Sequence, residues 1–248
     1  MAAAFTLDAL NAMPAAELRA RLAGPPEARA AIIAAAAEAG LAEAQALYGQ
    51  ILLDGHGVAR NEQAALQWFS RAAKQGHVMA INMIGRCYDL GWGVAVDKAR
   101  AAEWYRAAAD RGLDWGMYNL ATLMALGHGV PEDKPAALAL FRRAAAMGNA
   151  KAINFVGSFY EDGWVVERDL AEAARCYARA AEGGDFRGQF NHARMLAGAG
   201  RIEEALRWLA RVPETATPAF REKAAAWLAA APEPALRAAA AAMRPDAA

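Results

Sequence analysis

The sequence predicts an all-α protein, a right-handed α/α superhelical solenoid of stacked helix hairpins, and three observations carry that expectation. First, Gly55, Gly91, Gly127 and Gly163 lie 36 residues apart, as do Gly76, Gly112, Gly148 and Gly184. A unit of that length cannot bury its apolar face alone and must stack on copies of itself. Second, other columns keep the same register: Gly49, Gly85 and Gly157 with Ala121 between them; Gly57, Gly93 and Gly129; Trp68, Trp104, Leu140 and Cys176. Third, the apolar fraction of 56% is inflated by alanine, the best helix former and a residue small enough to let helices approach closely.

The elements follow in order. Gly40 falls 36 residues before Gly76, and PPEARAAIIAAAAEAG fits the second helix of a degenerate repeat begun by residues 6–22. In the repeat at 78–113, Ala80, Ile84, Cys87 and Tyr88 recur at the three- and four-residue intervals of one helical face. Gly91 and Gly93 stop that first helix, since glycine supplies positive-φ conformations at little steric cost. Asp97 is placed to cap a second helix carrying Ala101, Trp104, Tyr105 and Ala108, which Gly112 ends. Hairpins are therefore expected at 41–76, 77–112, 113–148 and 149–184, with a shorter one at 186–212. Downstream, Thr217 and Pro218 open a helix reaching Trp227, and residues 234–243 form an alanine-rich last one.

The copies read ALYGQILLDGHGV then ALQWFSRAAKQG, AINMIGRCYDLGWGV then AAEWYRAAADRG, GMYNLATLMALGHGV then AALALFRRAAAMG, and AINFVGSFYEDGWVV then AARCYARAAEGG, the last with Val165 at the second loop glycine. This pattern resembles the Sel-one-like repeats, relatives of the tetratricopeptide repeat with a longer loop. The expected organisation is an N-terminal cap at 1–40 (a degenerate repeat), four Sel-one-like repeats at 41–184, a shortened tetratricopeptide-like repeat at 185–212, and capping helices at 213–248.

Composition narrows the function. Lys+Arg and Asp+Glu both number 27, so no basic arm or patch points to nucleic acid or an anionic membrane. The N-terminal stretch MAAAFTLDALNAMPAAELRARL has no basic residue before Arg19 and no long apolar core, so it does not read as a secretory signal and no membrane insertion is expected. The expectation is a cytoplasmic protein, with the envelope as the alternative should the true start site differ. Cys87 and Cys176 sit in apolar columns of different repeats and read as buried, reduced thiols.

Catalysis needs converging groups, and the spacing supplies none; no metal or cofactor is expected. His56 and His128 share a loop column two repeats apart, too far to bind one zinc ion. His77 and His192 are isolated and read as helix-end or surface residues. The pair Glu161–Asp162 reads as a solvated helix face, because helical neighbours point roughly 100° apart. Trp68, Trp104 and Trp208 are expected in the core. Trp92 and Trp164, in the loop column with His56 and His128, read either as filling between loops or as a recognition edge.

In stacks of the kind this chain resembles, the first helices line a concave groove, and residues off the consensus columns choose the partner. Carried over column by column, the groove candidates on the second and third repeats are Met79, Asn82, Arg86, Asp89, Trp115, Tyr118 and Thr122. On later repeats they are Lys151, Asn154, Ser158, Glu161, Arg187 and Arg194. An amide offers a donor and an acceptor, so Asn82 and Asn154 could clamp a peptide backbone or instead bond a neighbouring helix. Arg86 and Arg194 could hold a carboxylate bidentately. The expected function is a non-catalytic, bacterial-type scaffold or adaptor that binds a protein or extended peptide in the groove. The alternative is a hydrolase or small-molecule binder, as the resemblance to cysteine-rich secreted relatives would imply, although their cysteine pattern is missing here.

Overall fold

In a computed structural model the structure describes residues 12–244, as fourteen α-helices and one short 3-10 turn, with no strand among them. The chain divides into two compact units, Met1–Glu132 and Asp133–Ala248. Unit 1 holds α1 (Ala15–Leu22), α2 (Pro26–Glu38), α3 (Ala42–Asp54), α4 (Glu62–Lys74), α5 (Val78–Leu90), α6 (Lys98–Ala109) and α7 (Asp114–Leu126). Unit 2 holds α8 (Lys134–Ala146), α9 (Ala150–Asp162), α10 (Leu170–Glu182), α11 (Phe186–Gly198), α12 (Ile202–Leu209), α13 (Pro218–Ala229) and α14 (Pro234–Met243). From α2 to α7, and again from α8 to α12, each helix packs on the next in sequence, the contact order of a solenoid. The start of the degenerate repeat expected at residues 6–22 lies partly outside the described residues.

Capping explains why the helices start where they do. Asn61, Asp97, Asp133 and Asp169 stand 36 residues apart, and each side chain accepts the backbone N–H three residues on, at 2.9–3.0 Å. Each thereby satisfies one of the amides left orphaned at a helix N-terminus. The preceding helices end on Gly55, Gly91, Gly127 and Gly163, all left-handed.

Glycine also sets how closely the two helices of a hairpin approach. A Cβ at Gly85 would sit 2.6 Å from the Tyr105 ring, and one at Gly157 would sit 2.8 Å from the Tyr177 ring. The first helix of each pair thus lies directly on an aromatic residue of the second. That aromatic column is Phe69, Tyr105, Phe141 and Tyr177, every member at most 1% exposed.

This column corrects the expectation for tryptophan. Trp68 is buried, but Trp104 and Trp208 are only half-buried. One residue further on, at Tyr105 and Leu209, the side chain points into the core. The wide indole of Trp104 straddles the edge of the apolar stripe, while the narrower Tyr105 fits beneath glycine.

Candidate functional site

The groove candidates divide between the units, and each set is described by itself. In unit 1, Met79, Asn82, Arg86 and Asp89 follow one another on α5 at three- and four-residue steps, one face of the helix. Trp115, Tyr118 and Thr122 do the same on α7. Met79 is 41% and Trp115 38% exposed. Trp115 meets Tyr118 edge to face with ring centroids 6.0 Å apart.

Asn82 and Asn154 take the second of their two expected roles, bonding a neighbouring helix. Each is at most 4% exposed. Asn119 Nδ2 donates to Asn82 Oδ1 at 3.0 Å, and Asn191 Nδ2 donates to Asn154 Oδ1 at 2.9 Å. A buried amide left unpaired would be costly, so these bonds tie the first helix of one repeat to that of the next.

Glu161 and Arg194 are corrected together. Instead of standing on a solvated face and waiting for a ligand, they form a partly buried ion pair at 2.7 Å. The Tyr177 hydroxyl also donates to Glu161, at 2.6 Å, and lies 3.2 Å from the Ser158 hydroxyl. Burial raises the Glu161 pKa, but the bonds from Arg194 and Tyr177 outweigh it and leave the carboxyl below its ordinary value. A depressed carboxylate contributes stability above its unfolded pKa and loses it as pH falls through the folded value. Glu161→Gln is therefore expected to flatten the acid side of the pH–stability profile of unit 2, as read by thermal melting between neutral pH and pH 3. Asp89 is held comparably in unit 1, by Lys98 Nζ and by the Tyr105 hydroxyl at 3.1 Å.

These pairs show a signal that the 36-residue reading passed over. Asn82 and Asn154, Asp89 and Glu161, Trp92 and Trp164, and Tyr105 and Tyr177 are each 72 residues apart. The intervening repeats carry Phe69 and Phe141 in the tyrosine column, with no hydroxyl to donate. The asparagine pairs and the tyrosine–carboxylate contacts thus belong to alternate repeats, and the Asn–Asn spacing of 37 residues was the visible trace of the former.

Arg86 is different. It is half-buried, its guanidinium lies 4.7 Å from the Trp92 ring centroid, its NH1 reaches the Met83 sulfur at 3.6 Å, and no carboxylate among the described residues pairs with it. It lines a pocket of about 380 Å³ with Gln50, Asp54, His56, Arg60 and Trp92. The other charged liners are committed: Asp54 accepts from Gln50 at 2.9 Å, and Arg60 pairs with Glu62 at 2.5 Å. Inner-face and loop-column residues, read as alternatives from the sequence, meet in this pocket. In unit 2, Trp164 is exposed, stands edge-on to Phe159 at 5.5 Å and has Lys134 Nζ 5.6 Å from its ring. Arg187 lies over Phe186 at 4.6 Å.

The remaining polar residues have local roles. His56 and His128 are exposed. His77 caps α5 by accepting the Ala80 N–H at 3.1 Å, and its other ring nitrogen meets Glu43 at 2.9 Å. His192 stands edge-on to Trp208, and burial lowers its pKa. Both cysteines are buried and free. Burial pushes the thiol of Cys87 up to about 12 and that of Cys176 up to about 11, so both stay protonated and unreactive. No group of three or more potential metal ligands occurs among the described residues. No helix among them is long and apolar enough to cross a membrane.

Comparison with known proteins places this geometry. The Sel1 repeat model matches residues 42–77, 78–113, 116–149 and 150–185. A Sel1 repeat protein from Oxalobacter formigenes is similar in structure, with TM-score 0.67, 26% identity, and 77% of this chain covered against 80% of that one. So is c5321, a protective antigen of uropathogenic Escherichia coli with an SLR fold: TM-score 0.63, 28% identity, 88% of this chain covered but 48% of that one. The chain therefore spans about half the length of that antigen. The immunity protein Pa5087 from Pseudomonas aeruginosa shares the fold, with TM-score 0.55, 18% identity, and 83% of this chain covered against 76% of that one. No curated protein matches the sequence. Proteins built from these repeats generally act as protein-interaction scaffolds rather than as catalysts. With four matched repeats spanning more than half of its residues, the chain belongs to the Sel1 repeat family.

Proposed function

We propose that the chain is a non-catalytic adaptor that binds a protein or extended peptide on the inner faces of its first helices, with α5 and α7 of unit 1 as the principal surface. The observation that supports this most is Arg86. Arg86 is half-buried over the Trp92 ring with no carboxylate paired to it among the described residues, and an arginine fork is shaped to take a carboxylate bidentately. On the same face, Met79 and Trp115 expose apolar area that the stack does not use. Trp and Arg are also the side chains that most often dominate binding energy at interfaces.

In this reading Asn82, Asn154, Glu161 and Arg194 position the helices, while Arg86, Met79, Trp115, Tyr118 and Thr122 meet the partner. Lys151, Ser158 and Arg187 extend the surface in unit 2. Residues 1–40 and 213–248 serve as caps, 41–184 as the four repeats and 185–212 as the short one. Balanced charge favours a protein partner over nucleic acid, and we place the adaptor in the cytoplasm.

Photocrosslinking tests the surface directly. A benzophenone amino acid placed at Met79 or Thr122 should trap the partner in cells, and the same group at His128 should not. Trapping only from His128 would move recognition to the loop edge and contradict the proposal.

A further inference from the structure

A cavity of about 710 Å³ lies within unit 2, where the ends of α11 and α13 meet the starts of α12 and α14. Its volume falls within the range of sites for small ligands. Ala197, Ile202, Ala231 and Leu236 give it apolar walls. Trp227 adds an indole that is 39% exposed and touches Phe190 only edge to face, with centroids 5.4 Å apart. A Cβ built at Gly198 or Gly200 would meet nothing within 4 Å, so the wall there is bare backbone facing open space.

One charged side chain in this cavity has no partner among the described residues. Glu233 is half-buried and stands at the N-cap of α14, yet its side chain makes no capping bond, and no hydrogen bond or ion pair to a described residue holds its carboxylate. The other charged liner, Arg194, is engaged by Glu161. Arg237, one turn beyond Glu233, gives its donors to the carbonyls of Ala231 and Pro232 at 2.8 and 2.6 Å. Two helix C-termini, those of α11 and α13, end at the same wall, and neither carries a basic residue in its last turn. The starts of α12 and α14 border the same cavity, so opposed helix dipoles offset one another there, and the attraction for a cation comes from the Glu233 carboxylate and the indole face of Trp227.

We propose that this cavity binds an amine or guanidinium carried on a short apolar stem, the chemistry of a lysine or arginine side chain. Its cationic head lies between Glu233 and Trp227, and its stem lies against Ile202 and Leu236. The site is distinct from the inner-face surface of unit 1 and stands or falls without it.

The test is titration calorimetry on the full chain with three probes: cadaverine as a free amine, Nα-acetyl-lysine methylamide as a polypeptide side chain, and Nα-acetyl-norleucine methylamide as the neutral analogue. Both cations should bind, with the norleucine analogue at least tenfold weaker. Tighter binding of cadaverine would identify the ligand as a free amine, and tighter binding of the lysine derivative as a segment of polypeptide. Glu233→Gln should weaken both cations at least tenfold while leaving the melting temperature unchanged, because no intramolecular partner is lost. Trp227→Leu should weaken them as well. Equal binding of the norleucine analogue, no response to Glu233→Gln, or no binding by any probe would overturn the proposal.

Discussion

Tyr105→Ala is expected to destabilise unit 1 by about 3–5 kcal/mol, the cost of a large cavity beneath an aromatic side chain. Tyr105 is 1% exposed, lies against the backbone of α5 at Gly85, and donates its hydroxyl to Asp89. Burial is the main reason its pKa is raised, so the phenol stays neutral throughout the working range. Tyr105→Phe keeps the ring and should cost only about 0.5–1.5 kcal/mol, since Lys98 still holds Asp89. Trp104→Ala, at the half-buried neighbour, should cost about 1–2 kcal/mol. Urea unfolding monitored by circular dichroism separates the three variants. An equal loss for Trp104→Ala and Tyr105→Ala would contradict the assignment of the core column.

Gly93→Ala is expected to cost about 3 kcal/mol, combining left-handed backbone strain with the displacement of a neighbouring helix start. Gly93 has φ +68°, and a Cβ there would fall 2.5 Å from the Glu62 carbonyl oxygen and 2.6 Å from the Gln63 nitrogen. Its amide also donates to the Glu62 carboxylate at 3.2 Å. Gly57 and Gly129 approach Pro26 and Lys98 in the same way, so this glycine lets the loop of one repeat rest on the second helix of the repeat before it. Val165 occupies the column in the fourth repeat with φ +54°, the one non-glycine residue at positive φ among the described residues. Its side chain is exposed, and Val165→Gly should therefore raise the stability of unit 2 by about 0.5–1 kcal/mol through relief of that strain. A melting temperature that falls for Val165→Gly would show that the fourth loop has found a conformation in which valine is accommodated.

Much of this was legible in the sequence, for a physical reason. Glycines at positive φ, the N-caps at Asp97 and its equivalents, and alanine-rich helix contacts are local requirements that recur with the repeat, so periodicity reveals them. Which side of a stripe is deepest is not local: Trp104 and Tyr105 are adjacent, and only the position of Gly85 on the opposing helix decides between them. Polar partners were harder still. Asn82 and Asn119, or Glu161 and Arg194, come from different repeats, and an isolated asparagine or arginine in a column looks the same whether it waits for a ligand or is already paired. Arg86 and Arg194 share one column, yet Glu161 stands opposite Arg194 while Arg86 lies over Trp92 with no acid paired to it among the described residues.

That difference supports the central claim, that buried inter-repeat pairs hold the stack while Arg86, which has no acid partner among the described residues, is kept for a partner. The direct measurement is melting temperature together with retention of the captured partner for Asn82→Ala and Arg86→Ala. Asn82→Ala should lower stability by about 1–3 kcal/mol, because it leaves the Asn119 amide unpaired, and should retain the partner below its melting transition. Arg86→Ala should melt within about 1 kcal/mol of the parent, the scale of a lost cation–π contact, and release the partner at least tenfold more readily. Normal partner retention by Arg86→Ala, or loss of the partner with Asn82→Ala while the chain is still folded, would contradict the account.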